Sequence, residues 1–167
     1  MFTNGFKMFW RKKEKSLKEN EVRIDLPDES YALLDWKEEN LPCIGMLNSG
    51  LKGFEHKNIF SWHLSVIIDF EDLIDNGMPS IAEREIVDPF GDKLEEDIKA
   101  GGNALFLIRE TWNGTRRLVW RVYDPEIADQ HLKYVAENHR YPRQFDWRMV
   151  QDPDWKEAQW YFDQLKT

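Results

Sequence analysis

Hydrophobic and polar residues alternate along residues 62–70, with Trp62, Leu64, Val66, Ile68 and Phe70 on one side and His63, Ser65, Ile67 and Asp69 on the other. A period of two predicts a strand with one buried face. Asn76-Gly77-Met78-Pro79 follows as a turn, its proline suited to a first helical turn. Ile86, Phe90, Leu94 and Ile98 then recur every four residues, the apolar stripe of a helix that Gly101-Gly102 closes. Pro89 falls inside this run, so a break is expected there, with Asp88 capping a second helical segment.

Residues 103–111 and 116–124 form the strongest local pattern. They flank Trp112-Asn113-Gly114-Thr115, and Asn-Gly suits a two-residue hairpin loop because both positions need positive φ. That turn sets a register in which Ile108 faces Val119, Leu107 faces Trp120 and Glu110 faces Arg117. Asp124-Pro125 caps and starts a helix with Ile127, His131, Leu132, Val135 and His139 on one side, and Tyr141-Pro142 stops it. Phe145, Trp147 and Met149 alternate with Asp146, Arg148 and Val150 in another strand. Asp152-Pro153 repeats the cap ahead of a helix over residues 154–166. Upstream, residues 21–26 and 31–36 alternate like strands, and Pro27, Pro42, Gly45, Gly50 and Gly53 punctuate the rest.

Strand, helix, strand, strand, helix, strand, helix predicts an α+β domain of the ferredoxin-like split-βαβ kind. It would occupy residues 59–167, preceded by a β-rich extension over 21–58 and a basic, flexible terminus over 1–20. Such a sheet carries helices on one face. Leu105, Leu107, Leu118, Trp120 and Val122 are expected beneath them, which leaves Phe106, Ile108, Val119 and Tyr123 opposite, too apolar to face water as one patch. The N-terminal segment is expected to fold across that face; the alternative is a homodimer packed through it.

Composition narrows the class. The 167 residues include eight Trp and ten Phe, which excludes a disordered linker. A mean hydropathy of -0.68 and the lack of a long apolar run exclude a membrane span. Cys43 stands alone, so no disulfide framework and no multi-thiolate zinc site can form within the chain. Residues 1–20 carry six basic and two acidic side chains, but the charges follow the aromatics Phe6, Phe9 and Trp10, unlike a secretory signal. A cytoplasmic protein is expected. Residues 21–102 hold seven basic and nineteen acidic side chains, and the chain totals -8, which disfavours a phosphate backbone as partner.

No chemistry announces itself by motif. Cys43 has no neighbouring base, and there is no Gly-x-Ser-x-Gly elbow or glycine-rich phosphate loop. His56, His63, His131 and His139 fall into no metal-ligand spacing, and no metal or cofactor is expected. The acidic residues from Glu83 to Asp97 lie mostly off the apolar stripe, as a solvated helix face does. Seven of the ten arginines follow residue 108. Arg117 and Arg121 share a strand face with Val119 and Tyr123, an arrangement that could stack and neutralise single-stranded RNA. The segment nevertheless lacks the glycines of an RNA-recognition motif. An enzyme would have to assemble its site from distant segments, with His63, Asp69, Arg121 and Tyr123 as the candidate cluster.

Asn76-Gly77-Met78-Pro79 with the acidic helix after it, Arg121-Val122-Tyr123, and Asp152-Pro153-Asp154-Trp155 together resemble the bacterial family called domain of unknown function 695. The likeness covers most of residues 30–166. A split-βαβ unit closing on Asp-Pro-x-Trp is also similar to the regulator of ribonuclease E activity B family. That resemblance implies a non-catalytic protein that acts by binding a protein partner. Asp152 and Trp155 also have a structural reading, as a cap and as an aromatic pinning the last helix. The expected binding residues are Phe106, Arg117, Val119, Arg121, Tyr123 and Trp155.

Overall fold

A computed structural model describes residues 24–166. Six strands form one sheet in which every neighbouring pair is antiparallel, and three helices pack on it. The strands are β1 (Tyr31–Glu38), β2 (Leu41–Asn48), β3 (Trp62–Asp69), β4 (Ala104–Trp112), β5 (Thr115–Val122) and β6 (Phe145–Gln151). The helices are α1 (Ile81–Lys99), α2 (Pro125–Glu137) and α3 (Lys156–Asp163). Across the sheet the order is β1-β2-β4-β5-β3-β6. The architecture is therefore α+β, and β1–β2 continue the sheet beyond β4. The expected terminus over residues 1–20 lies outside the described residues.

Local chemistry explains most boundaries. Asn113 and Gly114 both take positive φ and close the β4–β5 hairpin, while Glu39 and Asn40 do the same between β1 and β2. Asp124 accepts the N–H of Glu126 and caps α2. Ser80 caps α1 by accepting the N–H of Glu83, so Pro79 stands before the helix rather than in its first turn. The helix then runs unbroken through Pro89, and the expected break is absent. A proline there deprives the carbonyl of Glu85, four residues earlier, of its donor. Glu85 is exposed, so water can take the place of that donor. Asp88 pairs with Arg116 at 2.7 Å and caps nothing.

Strand β2 contains Pro42 and Gly45, which read as punctuation in the sequence. The ladder between β2 and β4 begins at Cys43, so the missing N–H of Pro42 lies beyond it and costs no bond. Gly45 makes room for Trp36 and Ile108: a Cβ there would stand 3.0 Å from Ile108 and 3.1 Å from the Trp36 ring.

The β4–β5 register departs from the expected one at a single place. Ile108 faces Val119 and Glu110 faces Arg117, as the turn dictates, but Trp120 faces Phe106 rather than Leu107. A bulge between Phe106 and Ile108 inserts Leu107 and reverses the faces on its N-terminal side. The side-chain amide of Asn48, itself buried, donates to the carbonyl of Phe106 at 3.1 Å and satisfies a group the bulge frees.

Two cores result. Leu64, Val66, Ile68, Phe106, Leu118, Trp120 and Val122 meet Val87, Phe90, Leu94 and Ile98 of α1 and Ala128, Leu132 and Val135 of α2. On the other face Leu47, Leu105, Leu107, Ile108 and Val119 meet Trp155, Ala158, Tyr161 and Phe162 at α3, together with Leu51, Phe54 and Phe60. This corrects three expectations. The sheet bears helices on both faces. Leu105 and Leu107 lie beneath α3, and Phe106 lies with α1 and α2. The face expected to take an N-terminal cover or a second copy carries the C-terminal helix, with Leu51 and Phe54 of the extension and Phe60 beside it, and the residues before 24 lie outside the described ones.

Candidate functional site: the groove beside α3

Helix α3 is eight residues long, too short to hold its position by helix propensity alone. Arg121 and Asp152 fix it. The guanidinium of Arg121, 0% exposed, donates to Asp152 Oδ2 at 3.0 Å and also to the Asp152 carbonyl. The same carboxylate accepts the N–H groups of Lys156 and Glu157, the first two of α3. Burial would raise the Asp152 pKa, but these N–H groups and Arg121 together hold it below the usual carboxylate range.

Trp155 completes the lock. It adopts φ 56, a left-handed conformation uncommon for so bulky a side chain. That turn drives its ring beneath the helix, where the Arg121 guanidinium lies 4.8 Å from the ring centre. Its Nε1–H donates to the carbonyls of Lys57 at 2.8 Å and Phe60 at 2.9 Å. The Asp-Pro-x-Trp segment thus caps α3, anchors it to the sheet and plugs the core below it.

Because α3 sits over the middle strands, the outer part of this face stays open. A groove of about 370 Å³ runs beside the helix, over His63, Ser65 and Ile67 of β3 and Asp146, Arg148 and Val150 of β6. Arg117 of β5 and Glu157 and Tyr161 of α3 form its other wall. Alternation along the strands places these polar residues on one face, and the register brings them into rows: Ser65 between Arg148 and Val119, and Ile67 between Asp146 and Arg117.

His63 is the most constrained group in the groove. Its Nδ1 lies 3.0 Å from Arg121 Nη1, and a guanidinium can only donate, so Nδ1 is the acceptor. The proton of the neutral ring is then on Nε2, the nitrogen left to the groove that the ring lines. Burial first, and the positive charge of Arg121 second, push its pKa down to about 4. At neutral pH His63 is an uncharged hydrogen-bond donor. A nucleophile's base needs the opposite tautomer, with a bare nitrogen toward the hydroxyl it deprotonates. Ser65 has no such base in His63.

A second buried set stands behind Arg117. Burial, then Arg117 counteracting it, leave the Glu110 pKa raised, and Arg117 Nη1 meets Glu110 Oε2 at 3.3 Å. Burial and Glu110 together raise Tyr161, whose hydroxyl bonds to that carboxylate. The thiol of Cys43 is buried nearby and pushed up to about 12 by burial, then by Glu110. It is a thiol and no nucleophile at neutral pH. No group of three or more His, Cys, Asp or Glu side chains among the described residues could hold a metal ion.

The expected binding residues separate into three groups. Phe106 is buried in the α1–α2 core, and Val119 is buried beneath α3. Arg121 and Trp155 meet in the lock under α3, and of the expected enzyme cluster Arg121 meets His63, while Asp69 lies at the far end of β3 opposite Thr115. Arg117 reaches the groove, while Tyr123 packs against the edge of the α3 core. Sequence reasoning missed Ser65, Asp146, Arg148, Glu157 and Tyr161. The alternation that puts Ser65, Asp146 and Arg148 on the polar side of their strands was visible; what left that side uncovered was the short reach of α3.

Among the described residues no helix is long and apolar enough to cross a membrane. No curated protein and no solved structure matches the chain. A family of unknown function does match, over residues 37–166, a span from the end of β1 through α3 that includes every residue of the groove and the lock. The chain belongs to that family, DUF695.

Proposed function

We propose that the protein is a non-catalytic regulatory module of the bacterial cytoplasm, and that its groove docks a basic segment of a partner protein. The neutral His63, locked by Arg121 with its Nε2–H toward the groove, carries this reading. It and the Ser65 hydroxyl supply donors for a peptide carbonyl, and Glu157 supplies a carboxylate for a lysine or arginine side chain. A net charge of -8 steers a basic partner toward the protein. The order β4-β5-β3-β6 around α1 and α2 supports reading the chain from β3 to β6 as ferredoxin-like. The resemblance to the ribonuclease-regulator family supports the same mode of action, control of a partner by contact. The RNA-binding alternative loses support, since Val119 and Arg121 lie beneath α3.

The test uses a capped Gly-Lys-Gly-Lys-Gly peptide and its glutamine analogue, titrated into the full chain under nuclear magnetic resonance. The lysine peptide is expected to move the His63 Nε2–H signal and the amides of Ser65 and Glu157, and Glu157→Lys to abolish this. Equal response to both peptides, no response at millimolar peptide, or shifts that survive Glu157→Lys would each refute the reading.

A further inference from the structure

Among the described residues strand β6 ends the sheet, with β3 its one strand neighbour. Asp69 N–H bonds to the carbonyl of Gln144, and Asp152 N–H to the carbonyl of Ser61, so even-numbered residues turn their backbone toward β3. In an antiparallel ladder the intervening residues turn theirs the other way. Phe145, Trp147, Met149 and Gln151 therefore present N–H and C=O groups outward. The N–H of Trp147 is met by its neighbour's carboxylate, Asp146 Oδ1, at 2.8 Å. The side chains of Phe145, Trp147 and Met149 pack on the α1–α2 core but stay only partly buried at its rim.

We infer that two copies of the chain pair antiparallel along β6 about a two-fold axis at Trp147, joining their sheets into one of twelve strands. Complementarity on both faces of the strand selects this register. With the axis at Trp147, Asp146 of each copy lies opposite Arg148 of the other, and Phe145 lies opposite Met149. Trp147 faces itself. An axis one residue either way sets Arg148 on Arg148 or Asp146 on Asp146, and like charges directly opposed oppose pairing. At the favoured register the outward groups of Phe145, Trp147 and Met149 exchange six backbone bonds. The Trp147 N–H passes from Asp146 to the partner's carbonyl, and the freed carboxylate meets the partner's Arg148. The half-covered apolar rim is closed by the same rim of the second copy.

An axis perpendicular to the sheet keeps like faces together, so the two grooves become one trough with Asp146 and Arg148 at its middle. Each groove keeps His63, Ser65 and Glu157. The pairing goes beyond the docking of a basic segment and is read out separately, as mass.

Sedimentation equilibrium of the full chain over a concentration series tests it. The expected species has twice the 20.0 kDa mass of the chain. Asp146→Arg and Arg148→Asp are each expected to weaken the dimer roughly tenfold or more, since each converts two attractive pairs into repulsive ones. The double variant D146R/R148D restores both pairs and is expected to regain the dimer, with circular dichroism showing that all variants fold. A monomer at every concentration, a dimer indifferent to the single reversals, or a double variant no better than either single would overturn the inference.

Discussion

The two faces of the sheet are built on different principles. The face under α1 and α2 is closed by apolar area: a nineteen-residue and a thirteen-residue helix lay Val87, Phe90, Leu94, Ile98, Leu132 and Val135 onto a continuous apolar layer. The face under α3 has one eight-residue helix and is held by Arg121, Asp152 and Trp155. A short helix pinned at one point cannot cover six strands, and what it leaves bare is the groove. Burying an ion pair is a weak way to gain stability, since desolvation offsets most of the attraction. It is a strong way to fix position, and here it orients both α3 and the tautomer of His63.

The α3 face depends most on Asp152. Asp152→Ala leaves the Arg121 charge buried without its partner and removes the acceptor for two N–H groups of α3. A loss of about 3–5 kcal/mol is expected in urea unfolding. On the opposite face Leu94→Ala removes a buried side chain and leaves a cavity, with a loss of about 3 kcal/mol expected. The two should differ in kind. Replacing Arg121 by Met in the Asp152→Ala background should recover part of the first loss, because it removes the stranded charge. No charge change can recover the second.

Acid separates the faces further. In the unfolded chain His63 titrates near 6.5, whereas in the fold its pKa is about 4. Between these values the unfolded state binds the extra proton, so stability is full above pH 6.5 and falls as pH drops toward 4. The fall attributable to this ring is about 3 kcal/mol at most. The depressed pKa of Asp152 adds to it at lower pH, below the range where an unfolded aspartate begins to protonate. Unfolding curves of His63→Gln should be flatter between pH 6.5 and 4 than those of the natural chain. An equal slope would mean that the ring is not held neutral by Arg121 and burial.

How much of this could be read in advance follows the same division. Alternation in β3, β5 and β6, the Asn113-Gly114 turn and the Asp124-Pro125 cap are local signals, and each element they marked is present. The apolar stripe of α1 was legible, although Ile86 is exposed and Val87 is the buried neighbour. What failed depended on distant contacts. The bulge at Leu107 is stabilised by Asn48, nearly sixty residues away, so no pattern within β4 announced it. Strand β2 was hidden by Pro42 and Gly45, which are tolerated because of where β4 ends and where Trp36 lies. For the same reason Arg121 reads as a surface arginine: its partner lies thirty-one residues on, and nothing near it in the chain marks the helix that covers it.

The smallest expected effect on stability is the most informative about the groove. Ser65 and Val66 are neighbours on β3 that point to opposite faces. Val66→Ala removes two methyl groups from a fully buried site and should cost about 1.5–3 kcal/mol. Ser65→Ala removes one oxygen from the groove floor and should change stability by no more than about 0.5 kcal/mol. If the hydroxyl donates to a docked peptide carbonyl, the same change should weaken the lysine peptide by roughly three- to tenfold, the range of one net hydrogen bond. Urea unfolding together with titration calorimetry on both variants would show a stability loss without an affinity loss at Val66, and the reverse at Ser65. That reversal between adjacent residues is what a sheet with one structural and one receptive face requires. Parallel losses at both would mean that the α3 face, too, serves only to hold the fold together.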